Sequence, residues 1–138
     1  MAKEKVGALT WCPGLRVDRI RILERHILEE PARFFMDGFQ LRADPDGRWP
    51  KHFRYRIPKR VPACRTAACI AGWAFYLFGK DFRSLRECLG LPEGFLELAC
   101  AHLWPEPFRS REMKLQPGTK KYAQNAVDRM EYLILEGR

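Results

Sequence analysis

Along LRVDRIRILERHILEE, Val17, Ile20, Leu23 and Ile27 recur at spacings of three, three and four, which is the period of an amphipathic helix over about 16–30. Pro31 lacks a backbone donor and disfavours helix in the residue before it, so the helix closes there. Phe34, Phe35, Met36 and Phe39 then supply core. The order changes in FQLRADPDGRWPKHFRYRI, where Asp44, Pro45, Asp46 and Gly47 are turn formers between two short alternating stretches. A small β-hairpin over about 39–57 is expected. If 52–57 is extended, Phe53, Tyr55 and Ile57 point one way and His52, Arg54 and Arg56 the other.

Residues 67–78 are apolar on every side. Thr66 can cap a helix there and Gly79 can end it, which predicts a helix buried all round at the centre of the fold. Asp81 can cap a helix with Phe82, Leu85 and Leu89 inward and Gly90 at its end, and Pro92 suits the first turn of a following helix that stops at Pro105. Three prolines and a glycine predict a long loop over 105–118. Thr119 then caps a last helix to about 136, with Tyr122, Ala126, Met130, Leu133 and Ile134 inward. The expected architecture is mainly α, a compact bundle of four to five helices around the buried central helix, with the hairpin or an extended basic segment attached.

Length fits this picture. At 138 residues, 46% hydrophobic and 30% charged, residues 1–138 read as a single domain able to bury a core without metal or disulfide staples. The longest uncharged apolar run, Ala67 to Phe78, is shorter than the roughly 20 residues of a membrane span, and no secretory pattern opens the chain. A cytoplasmic protein with reduced cysteines is the expectation.

Charge changes the picture more than composition does. The net charge is +8, and between Gly47 and Lys80 there is no Asp or Glu while Arg48, Lys51, Arg54, Arg56, Lys59, Arg60, Arg65 and Lys80 all carry positive charge. The remaining basic residues equal the 17 Asp plus Glu, so the whole net charge is local. Only this stretch creates a one-signed field. Its run RWPKHFRYRIPKR interleaves cations with Trp49, Phe53 and Tyr55, the combination that neutralises phosphates and stacks on bases. A nucleic-acid contact over 48–65 follows as the leading expectation, with Arg54, Arg56, Lys59 and Arg60 on phosphates, Arg48 and Lys51 extending the path, and Trp49 or Tyr55 stacking. The alternative is a small accessory or inhibitor protein docking on an acidic protein partner, with the aromatics in the core and the arginines on a charged face.

Other chemistry is weakly signalled. Glu93 and Glu97 would repel phosphates from the second helix of the 82–103 pair, which argues against groove reading by a helix-turn-helix. Cys64, Cys69, Cys100 and His102 have spacings that can be forced onto a zinc site but do not announce one, so no metal or cofactor is expected. Cys69 would lie in the first turn of its helix, where free amides favour a thiolate, or simply be buried beside Trp73. His26 and His102 read as helix residues with structural roles, and no phosphate-cradling glycine loop, HExxH or GxSxG motif is present. A non-enzymatic role is the expectation.

At CRTAACIAGWA, residues 64–74, the chain resembles a group of small uncharacterised bacterial and bacteriophage proteins. These are marked by Cys-Gly-Thr, two variable residues, Cys, one variable residue, then Ala-Gly-Trp-Ala. Cys64, Thr66, Cys69, Ala71, Gly72, Trp73 and Ala74 fit, and Arg65 stands at the usual glycine. The flanks are similar too, with an LGL turn at Leu89–Leu91 and a helix ending in Leu103 and Trp104. The resemblance implies a helical fold and a bacterial or phage setting, and no catalytic residues.

Overall fold

A computed structural model describes residues 14–36, 40–43, 45, 46, 48, 66–79, 85–91, 98 and 100–137. They are mainly helical. Five α-helices are present among them: α1 (Val17–Glu29), α2 (Ile70–Phe78), α3 (Leu85–Leu89), α4 (Phe108–Lys114) and α5 (Lys120–Glu136). Two short strands, β1 (Gln40–Arg42) and β2 (Thr66–Ala68), pair antiparallel, with Gln40 opposite Ala68 and Arg42 opposite Thr66.

The first and last helices follow their periodicity closely. Ile20, Leu23 and Ile27 of α1 are buried, and Val17 is partly so. The helix ends at Glu29, and Pro31 opens a single 3-10 turn, Pro31–Arg33, that hands the chain to the buried Phe34, Phe35 and Met36. On α5 the expected inward residues Tyr122, Ala126, Met130, Leu133 and Ile134 are all buried. Thr119 caps this helix: its Oγ1 accepts the Tyr122 N–H at 3.3 Å and donates to the Gln116 carbonyl at 2.7 Å. Thr119→Ala is expected to destabilise the protein by about 1 kcal/mol, the usual cost of a lost cap, whereas Thr119→Ser retains the bond. Coincident urea midpoints for wild type and the alanine variant would refute the assignment.

Three expectations about the apolar run need correction. The apolar run at 67–78 does not form one helix. Thr66–Ala68 is strand, because it pairs with β1 and because Ala68 also bridges Phe34 and accepts the Phe35 N–H at 3.0 Å. Cys69, not Thr66, is the N-cap of α2, its Sγ accepting from the Gly72 N–H at 3.4 Å. Nor is α2 buried all round: Ile70, Gly72, Trp73 and Ala74 are, but Tyr76 is 66% exposed.

The loop expected over 105–118 contains α4. Pro105, Pro107 and Pro117 flank the helix rather than interrupt it, and its first turn is held by Glu106, whose carboxylate accepts the Ser110 N–H at 3.1 Å and pairs with Arg109 at 2.8 Å. Phe108 and Glu112 turn inward. Of the helix expected from Pro92 to Pro105, residues 92–97 and 99 lie outside the described residues, and its end is a 3-10 turn, Ala101–Leu103, after an extended Cys100; Trp104 is buried beyond it and its indole N–H donates to the Leu98 carbonyl at 3.3 Å. His102 is exposed in that turn rather than packed within a helix.

Of the hairpin expected at 39–57, the first arm is β1, and Pro45 and Asp46 lie in a turn. The second arm at 52–57 lies outside the described residues, and the strand that pairs with β1 among the described residues is β2.

The core also holds polar groups. Glu24, Glu112, Asn125 and Arg129 are buried. The Tyr122 hydroxyl donates to Glu112 at 2.7 Å and accepts the Met36 N–H at 3.1 Å, so one phenol ties α5 both to α4 and to the segment after α1.

Candidate nucleic-acid interface

Of the residues expected to meet a polyanion, Arg48 is described and is exposed. Trp49, Lys51, Arg54, Tyr55, Arg56, Lys59 and Arg60 lie outside the described residues. What the structure does establish is how the ends of their segment are held. Arg42, just before it, and Thr66, just after it, are opposite one another in the β1–β2 ladder. Between them the chain carries seven of the eight uncompensated cations. The base of this segment is tied to the core through buried Ala43 on one side and buried Ala68 and Cys69 on the other, and through the Phe34–Ala68 bridge.

Next to that base lies an aromatic cluster that periodicity did not reveal. Arg33 immediately precedes the bridging Phe34, and its carbonyl accepts the Trp73 indole N–H at 2.8 Å while its guanidinium sits 5.2 Å from the Trp73 ring centroid. This is cation–π distance. The His26 ring of α1 lies 4.6 Å from Trp73, and Tyr76 meets Trp73 edge to face, with centroids 5.3 Å apart. Burial, and then the nearby Arg33 charge, pushes the His26 pKa down, so its imidazole is neutral at neutral pH. Its Nε2 is buried without a hydrogen-bond partner among the described residues. The sequence carries only one local part of it, the three-residue spacing that puts the Trp73 and Tyr76 rings on adjoining positions of one helix.

Among the described residues the thiols and imidazoles do not gather. Cys69 is buried at its cap, Cys88 is buried on α3 with its pKa raised by that burial, Cys100 is partly exposed, and Cys64 lies outside the described residues. Among the described residues no three His, Cys, Asp or Glu side chains come together in a way that could hold a metal ion. No described helix is long and apolar enough to cross a membrane. The basic residues of α4 that could have extended the cationic surface, Arg109, Arg111 and Lys114, are all exposed, with Arg109 engaged by Glu106. No protein-family model, curated protein or solved structure matches this chain.

Proposed function

We propose that this chain is a non-enzymatic binding protein that contacts the nucleic-acid backbone through its basic, aromatic-interleaved segment at 48–65. The observation that carries the reading is the distribution of charge: eight basic residues and no acidic one from Gly47 to Lys80, in a chain otherwise neutral. A one-signed field of this kind raises the local concentration of a polyanion, and cation–phosphate contacts release condensed counterions. In this reading residues 52–57 run extended, Arg54, Arg56, Lys59 and Arg60 hold phosphates, Arg48 and Lys51 lengthen the track, and Trp49 or Tyr55 stacks on a base. The paired strands at the base of the segment support it by bringing its two ends together. The kinship suggested by residues 64–74 adds a bacterial or phage setting and no activity.

The test is fluorescence anisotropy with single-stranded DNA, duplex DNA and RNA, using nuclease-treated protein at about 50 and 200 mM salt. Six phosphate contacts would cost about a thousandfold in affinity over that range. Substituting Arg54, Arg56, Lys59 and Arg60 together by Glu is expected to abolish binding and to leave the circular dichroism spectrum unchanged. Unchanged affinity in that variant removes the reading. So does the absence of binding at low salt, and a co-purifying acidic protein whose association is salt-sensitive but survives nuclease would then establish protein docking in its place.

A further inference from the structure

His26 of α1 is half-buried, and its ring nitrogen Nε2 is fully buried with no hydrogen-bond partner among the described residues. A neutral imidazole carries a hydrogen on one nitrogen, whereas the imidazolium carries one on each. Protonation of His26 therefore adds a charge and a second N–H to a ring whose buried edge meets no acceptor. Both additions cost free energy.

The groups around the ring are few and of both signs. Trp73 of α2 lies 4.6 Å from the imidazole between centroids, close enough for its π face to stabilise a cation. That role is already taken, because the Arg33 guanidinium of the 3-10 turn sits over the same ring at 5.2 Å. Tyr76, also on α2, is 6.3 Å from the imidazole. Burial first and the Arg33 charge second hold His26 neutral at neutral pH, while Glu29 and Glu30, both exposed, oppose them. Helices α3 and α5 also pack on α1, but among the described residues the charges acting on His26 come from neither.

Arg33 has a second place to rest and a backbone that reaches further. Its Nε lies 3.5 Å from the Glu30 carboxylate, so a guanidinium leaving the ring has a partner at hand. Its carbonyl accepts the Trp73 indole N–H at 2.8 Å. The next residue, Phe34, bridges Ala68 of β2, and the Phe35 N–H donates to the Ala68 carbonyl at 3.0 Å. One short turn thus joins the ring cluster to the strand.

We propose that His26, Trp73 and Arg33 form an acid-sensitive contact, in which a proton taken up by His26 displaces the Arg33 guanidinium from the Trp73 ring toward Glu30 and loosens the turn that carries Phe34 to β2. The imidazolium and the guanidinium are like charges competing for one ring, and the turn is the element that their competition biases. The inference goes beyond the binding role proposed above and is independent of it.

The experiment follows the His26 Cε1–H and Trp73 indole Nε1–H resonances of the full chain by NMR, from about pH 8 to about pH 4. The His26 midpoint is expected below the ordinary 6.5. The indole resonance should shift with that same midpoint and stay still in His26→Gln. Arg33→Gln removes the competing charge and should raise the midpoint, and Arg33→Met, which keeps the apolar stem, should raise it as well. Glu30→Gln should lower it further. Hydrogen-exchange protection of the Phe35 amide should fall as His26 titrates in wild type and hold constant in His26→Gln. A His26 midpoint at or above 6.5 in wild type overturns the inference. So does a midpoint that both Arg33 variants leave unchanged, or an indole resonance or Phe35 protection that does not follow the His26 titration.

Discussion

Replacing Glu24 with glutamine is expected to flatten the pH dependence of stability between about 4.5 and about 9, and to stabilise the protein at neutral pH. Glu24 is on α1, 7% exposed, facing α5. Burial, and next the neighbouring Glu131 carboxyl, push its pKa up to about 9 from an ordinary 4.5, and Asp128 on the same helix acts in the same direction. Among the described residues the cation that opposes this is Arg21, and its position explains why it does so weakly. Its Nε lies 3.8 Å from Glu24 but 2.9 Å from Glu131, to which its Nη2 also donates at 3.2 Å. The guanidinium therefore serves the more exposed carboxylate, and the proton stays on the buried one. Glu24 Oε2 has no hydrogen-bond partner among the described residues, which a neutral carboxyl tolerates far better than a carboxylate would.

The sign follows from which state binds the proton. Below the unfolded value near 4.5 both states are protonated and the contribution of Glu24 is fully present. Above it the unfolded chain releases the proton while the folded protein retains it, so stability falls with rising pH until the folded pKa near 9 is passed. One proton corresponds to at most about 1.4 kcal/mol per pH unit. Glutamine reproduces the shape of the protonated carboxyl and cannot ionise, so the variant should gain about 2 kcal/mol over wild type at pH 7, with the difference widening toward pH 9. Urea midpoints at pH 5, 7 and 9 read this directly. Parallel pH profiles for the two proteins would show that Glu24 is ionised in the fold.

The second large effect is at Gly90, which ends α3 with φ +71°. Two constraints meet there. A positive φ costs a side-chain-bearing residue about 1–2 kcal/mol. In addition, the turn lies against the chain entering α1: the Arg16 N–H donates to the Leu89 carbonyl at 2.8 Å, and a Cβ at position 90 would run into the Gly14 carbonyl. Both atoms are backbone, so relief requires the α1 entry to move and that hydrogen bond to stretch. Gly90→Ala is expected to destabilise by about 3 kcal/mol, the sum of the conformational cost and of this displacement. Gly14→Ala is the control, since nothing lies within 4 Å of a Cβ placed there, and it should change stability by less than about 0.5 kcal/mol. A Gly90→Ala protein with the wild-type urea midpoint would show that the contact is not closed in solution.

Both predictions lie where the chain gave little warning, and other positions show why some features were legible and others not. The burial of Ile20, Leu23 and Ile27, and of Tyr122, Ala126, Met130, Leu133 and Ile134, follows from spacing, because an amphipathic helix carries its own periodic signal. The stop at Glu29 before Pro31 and the cap at Thr119 are equally local. In contrast, Ala67 and Ala68 read as the start of a helix capped by Thr66, and Thr66–Ala68 becomes strand only because Gln40–Arg42 and Phe34 lie alongside. Glu24 and Arg129 carry charges that place them on a solvated face by composition, yet both are buried. For the candidate interface, the cationic run and its interleaved rings are visible in the one-dimensional order of residues. The cluster of Arg33, His26, Trp73 and Tyr76 is not, since it joins side chains from α1, α2 and the turn after α1.

The sequence by itself determined the mainly helical character, the span and inward faces of the first and last helices, and the concentration of the entire net charge between Gly47 and Lys80. These depend on a few neighbouring residues, whose spacing and caps act within one turn of chain. Tertiary structure alone decided that β1 and β2 close the base of the basic segment, that Gly90 must admit the Gly14 carbonyl, and that Arg33, His26, Trp73 and Tyr76 form one cluster. Each of these joins residues far apart in the chain, and the energy that selects them comes from contacts that exist only after the chain has packed.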